Sequence, residues 1–155
     1  MFKKLLTSLM VIMVMVFGVA IAQPEQVLTQ VSASGYDTYL NGDHNYQLIY
    51  GHMGGAEYLD ISSIVVLTNN YTKQYTWAQN EVAVDTNKGN AIINTKTKWY
   101  SWVNDGSDNG SFYYSFTGKD GDWKSFDFYS DAGYMQSTTG GFRAGFRHAF
   151  GFPFS

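Results

Sequence analysis

The chain has 155 residues, 45% of them hydrophobic and 15% charged, with 11 Phe, 12 Tyr, 4 Trp, 16 Gly, 2 Pro and no Cys. That composition excludes a highly charged disordered chain, a collagen, a disulfide-stapled miniprotein and a cysteine-ligated zinc or iron–sulfur site. A net charge of −3 also argues against a nucleic-acid partner, because affinity for a phosphate backbone needs clustered positive charge.

Lys3 and Lys4 open the chain, residues 5–22 form an apolar run, and Ala20-Ile21-Ala22 places small residues at the spacing that signal peptidase requires. Residues 1–22 therefore read as a signal peptide cleaved before Gln23. The competing reading is an uncleaved membrane anchor. Loss of the two leader lysines makes the remaining chain, residues 23–155, more acidic, with a net charge of −5. The expected location is secreted, periplasmic or extracellular, with residues 23–155 as one β domain.

Beyond the leader, short β-like runs alternate with Gly, Asn and Asp. Residues 23–34 are polar and read as a lead-in or a first edge strand. Residues 46–50 form a short apolar run, turned by His52-Met53-Gly54-Gly55. Residues 58–68 hold Ile61, Ile64, Val65, Val66 and Leu67, a strand expected to be buried on both faces over its second half. Residues 71–79 alternate, with Tyr71, Lys73, Tyr75, Trp77 and Gln79 on one face. Val82 and Val84 mark a further strand, 87–90 a hairpin loop, and 91–103 a strand rich in Ile, Thr, Trp and Tyr. A polar loop at 104–111 follows, then strands at 112–117 and 123–129 around a turn at 118–122.

In the tail, Phe142, Ala144, Phe146, His148, Phe150, Phe152 and Phe154 fall on even positions, a period-two pattern that suits a terminal strand. Phe142, Phe146 and Phe150 also suit one face of a helix, a reading weakened by Gly145, Gly151 and Pro153. The total is eight or nine strands and no convincing helix. The expected fold is all-β, a small antiparallel β-sandwich, with an up-and-down β-barrel as the alternative.

Catalytic signals are few. His44 and His52 with Glu57 or Asp60 offer zinc-ligating residue types without a zinc-binding spacing, and no GxSxG elbow is present. Glu57 and Glu81 are the two glutamates left for paired-carboxylate glycoside hydrolysis once Glu25 near the new terminus is set aside. The balance favours a non-enzyme, with a secreted hydrolase as an alternative. Asp105, Ser107, Asn109 and Gly110 match the start of a calcium loop, but Phe116 stands where its bidentate Glu belongs. Asp105, Asp108 and Asp131 are nevertheless candidate Ca²⁺ ligands if hairpin connections bring their loops together.

The aromatic content is the stronger clue. Rings exposed in a groove stack on sugar faces while neighbouring amides and carboxylates bond to hydroxyls. The ring candidates are Tyr75, Trp77, Trp99 and Trp102, with Asn109 beside them. The expected function is therefore a secreted or cell-envelope binding protein for a glycan or another envelope component. A second alternative is a membrane-active or antibacterial protein touching lipid through Phe142, Arg143, Phe146, Arg147 and Phe150; a third is a small outer-membrane barrel. Core closure is the competing role for the same phenylalanines.

Overall fold

A computed structural model describes residues 35–154. Among the described residues six strands, β1 (Tyr46–His52), β2 (Gly55–Asn70), β3 (Gln74–Asp85), β4 (Ala91–Val103), β5 (Ser111–Ser115) and β6 (Lys124–Ser125), precede one helix, α1 (Gly133–Phe150). The strands lie in chain order in one antiparallel sheet, with β1 and β6 as its outer strands. The all-β antiparallel class expected from the sequence holds. The sheet is open, not a barrel, and α1 supplies the layer that a second sheet supplies in a sandwich. The proposed signal peptide, residues 1–22, lies outside the described residues.

Each connection follows from local chemistry. Met53 and Gly54 both take positive φ, the conformation that a two-residue hairpin loop demands, and join β1 to β2. Between β3 and β4 the chain makes a short 3-10 turn at Thr86–Lys88 and leaves it through Gly89 and Asn90, again at positive φ. The strand expected at Val82 and Val84 is the continuation of β3, because nothing between Gln79 and Val82 breaks the ladder to β4.

The largest departure from the sequence reading is the tail. The alternating phenylalanines do not form a strand; Phe142, Phe146 and Phe150 lie four apart on one face of α1, and the helix stops at Gly151, whose φ of 81° closes it. The glycines that weaken a helix in isolation permit this one to approach the sheet. A Cβ on Gly140 would stand 2.2 Å from the Ile49 carbonyl oxygen, and one on Gly145 would stand 1.7 Å from Gln79 Oε1. Burying the phenylalanine face offsets the propensity cost of about 1 kcal/mol per glycine, since each buried Phe contributes roughly 1.5–3 kcal/mol.

Period-two alternation places Tyr75, Trp77, Gln79 and Glu81 of β3 beneath α1, with Lys98, Tyr100 and Trp102 of β4 beside them. Trp77, Tyr100, Phe142 and Phe146 are the centre of this aromatic core, and Phe112, Phe126 and Phe128 extend it. On the opposite face Leu40, Leu48, Ala56, Tyr58, Val82 and Val84 form a second cluster beneath the segment that leads into β1.

The second half of β2 departs from its expected burial. β1 pairs with β2 only as far as Asp60, so Val65, Val66 and Leu67 lie on a strand with one neighbour and remain exposed.

Candidate functional site

The most polar part of the interior lies between β3, β4 and the first turns of α1. Trp77 Nε1 donates to Gln79 Oε1 at 2.8 Å, and Gln79 Nε2 donates to Glu81 Oε1 at 3.0 Å and to the Gly141 carbonyl at 3.0 Å. Glu81 also accepts from the Tyr100 hydroxyl at 2.6 Å and, through Oε2, from Lys98 Nζ at 3.2 Å. The Lys98 ammonium donates in addition to Thr138 Oγ1 and sits 5.4 Å from the ring centroids of Tyr100, Tyr114 and Phe116. Both members of the ion pair are buried. Burial first, and then the charge and hydrogen bond of Glu81, push the Tyr100 hydroxyl well above the usual phenol range.

Glu81, Lys98 and Thr138 of this network line a cleft of about 250 Å³ that opens to solvent at the start of α1. Strand register explains its shape. Ala83 of β3 is paired with Glu57 of β2 on one side and Asn94 of β4 on the other, so a small side chain lies between two polar ones on the same face. Glu81 is paired with Lys96 in the next row. The backbones of Glu57 and Asn94 are two strand spacings apart, about 10 Å. Phe116 and Tyr134 border the opening and are 47% and 77% exposed; Tyr114 is half-buried behind them. The Ser137 hydroxyl of α1 donates to Glu57 Oε2.

The arrangement brings the rings of Tyr114, Phe116 and Tyr134 to one cleft with an acceptor at Glu57 and donors at Asn94 and Lys96. Glu57 and Glu81, the glutamates available for paired-carboxylate chemistry, do line one cleft. Their settings differ: Glu81 is held by three donors, whereas Glu57 is bonded to one hydroxyl. Asn94, Lys96, Phe116 and Tyr134 escape a reading of the sequence. Even-position alternation along β4 links Asn94 and Lys96 to Tyr100, but only the register of β3 against β4 shows that they face Ala83 and Glu81.

The ring residues expected to bind a ligand are not brought together on a surface. Tyr75 and Trp77 are buried in the core, because α1 covers the face they share. Trp102 packs against Tyr75 and Phe154 and spends its indole N–H on the Asn109 carbonyl, 2.8 Å away. Asn109 itself is exposed in its loop. Trp99 alternates with Lys98 and Tyr100 and therefore belongs to the opposite face of the sheet.

The candidate Ca²⁺ ligands Asp105, Asp108 and Asp131 are not brought together. Among the described residues no three His, Asp or Glu side chains are grouped to hold a metal ion. Asp105 is turned into its own loop, where Oδ1 accepts from Ser107 N and Oγ at 3.1 and 2.7 Å and Oδ2 accepts from Ser111 Oγ. The Ser111 hydroxyl, followed by the Ser107 groups, lowers the Asp105 pKa to about 2. Asp108 borders a separate open groove beside Asp127 and Tyr129, and Asp131 precedes α1.

The proposed lipid contacts have another use. Phe142 and Phe146 are fully buried, Phe150 packs on Tyr75 and Trp77, and the Arg143 guanidinium lies 4.7 Å from the Phe128 ring centroid. Arg147 is half-buried one turn before the helix end. Phe142 and Phe146 thus help close the core, while Arg143 remains exposed on the outer side of the helix.

No protein-family model, curated protein or solved structure matches the chain.

Proposed function

We propose that this is an exported binding protein of the cell envelope or extracellular space that holds one sugar ring of a glycan in the cleft above Ala83. The observation that carries this reading is the pairing of exposed Phe116 and Tyr134 with inward-facing polar groups on both sides of a small-residue floor. Sugar rings present an apolar face and a rim of hydroxyls, and this cleft presents aromatic faces with acceptors and donors at its edges. Its volume is below the roughly 300–1,000 Å³ of drug-sized sites, which suits a single ring of a longer chain. The buried Glu81–Lys98–Tyr100 network gives the floor fixed geometry, so little ordering is left for the moment of binding. Export rests on the leader reading of residues 1–22.

A glycan microarray probed with the wild-type protein and with Tyr134→Ala and Phe116→Ala tests the proposal. Tyr134 is exposed, so its truncation leaves the fold intact. Loss of an aromatic stacking face is worth about 0.5–1.5 kcal/mol beyond buried area, a fall of roughly twofold to thirteenfold in affinity. Glycan binding unchanged in both variants would reject this cleft as the site.

A further inference from the structure

The two walls of the cleft are chemically unequal. On the β2 side Glu57 is an acceptor already bonded to the Ser137 hydroxyl. On the β4 side Asn94 offers an amide, and Lys96 offers an ammonium 5.8 Å from the Phe116 ring centroid. The other lysine at the site, Lys98, is neutralised by Glu81. Lys96 forms no ion pair among the described residues, and its side chain is exposed at the opening. Glu57 and Glu81 line the same cleft without forming an ion pair with Lys96, so this cation beside an aromatic rim is left to meet a carboxylate carried by the ligand.

We infer that the cleft selects an acidic, uronate-type sugar, with Lys96 and Asn94 receiving its carboxylate and Glu57 receiving hydroxyls on the opposite edge of the ring. This rests on the glycan reading above and adds the charge of the sugar to it. The net negative charge of the chain opposes acidic glycans at long range. Screening over about 8 Å at physiological ionic strength leaves the local contact at Lys96 to decide.

The test titrates the full-length protein with galacturonate, mannuronate and glucuronate oligosaccharides, each beside its carboxyl-reduced form, at physiological ionic strength by calorimetry. The expected result is about tenfold tighter binding of at least one acidic oligosaccharide than of its reduced partner. Lys96→Gln should reduce that preference to about twofold or less, while Lys124→Gln, an exposed lysine on β6, leaves it unchanged. Equal binding of acidic and reduced forms would overturn the selectivity while leaving the glycan reading in place. A preference that survives Lys96→Gln would overturn the assignment to Lys96. Absence of binding to every oligosaccharide of both sets would reject the glycan reading itself and this inference with it.

Discussion

Replacing Glu81 by Leu removes the carboxylate on which the interior network converges, and the consequence follows from the partners it leaves behind. The Tyr100 hydroxyl retains the Thr138 carbonyl at 3.1 Å, and Gln79 Nε2 retains the Gly141 carbonyl. Lys98 retains only the Thr138 hydroxyl, so a buried ammonium loses its counter-charge. Breaking a buried pair from one side costs about 3–5 kcal/mol, mostly through the charge left behind. With a urea m-value of about 1.5 kcal/mol/M, typical of a small protein, that is a drop of about 2–3 M in the unfolding midpoint. The double variant Glu81→Leu/Lys98→Met removes the orphan charge and should recover most of the loss, because buried pairs replaced by apolar side chains are often near neutral. Urea melts of wild type, both singles and the double give the coupling energy directly. A Glu81→Leu cost below about 1 kcal/mol, or a double variant no more stable than Glu81→Leu alone, would show that the orphaned Lys98 charge is not the source of the loss.

Three other outcomes follow from the packing and the titrating groups. Gly141→Ala should destabilise by about 1–3 kcal/mol in thermal melts, despite the better helix propensity of Ala, because its Cβ would stand 2.3 Å from Glu81 Oε1 and 2.4 Å from the Tyr100 hydroxyl. Asp105 has a lowered folded pKa, so the stability it lends the 104–111 loop is present above the ordinary carboxylate value of 3.8 and is lost as pH falls toward about 2; carboxyl-carbon NMR should show its midpoint near 2, and Ser111→Ala should move it up. Burial, assisted by Arg147, lowers the pKa of His148, whose Nε2 meets Gln47 Oε1 at 2.7 Å; its stabilising share is present above 6.5 and declines as pH falls below that, and an imidazole NMR titration should place its midpoint under 6.5.

How far the sequence disclosed this molecule depended on whether a feature was local or rested on register. Residues 91–103 carry enough β-branched and aromatic side chains to define β4 on their own, and Met53-Gly54 defines its hairpin. The alternation of Tyr75, Trp77 and Gln79 was equally legible, but its aromatic side was open to two readings, and the arrival of α1 made it core. The tail shows why: residues two apart and residues four apart are satisfied together by Phe142, Phe146 and Phe150, and only the close approach of Gly140, Gly141 and Gly145 to the sheet selects the helix. Val65 to Leu67 look like a central strand until β1 is seen to end beside Asp60. The cleft was least legible, since Glu57, Ala83 and Asn94 are separated by many residues in the chain and share a row only through two strand pairings.

The cleft above Ala83 is the proposed ligand site. Amide and side-chain NMR shifts, recorded while the protein is titrated with its best-binding glycan, locate that site. Saturable shifts are expected at Glu57, Ala83, Asn94, Lys96, Phe116 and Tyr134, with residues 105–111 unmoved. Shifts concentrated instead at the open groove beside Asp108 and Tyr129, or on the opposite face around Trp99, would contradict that placement.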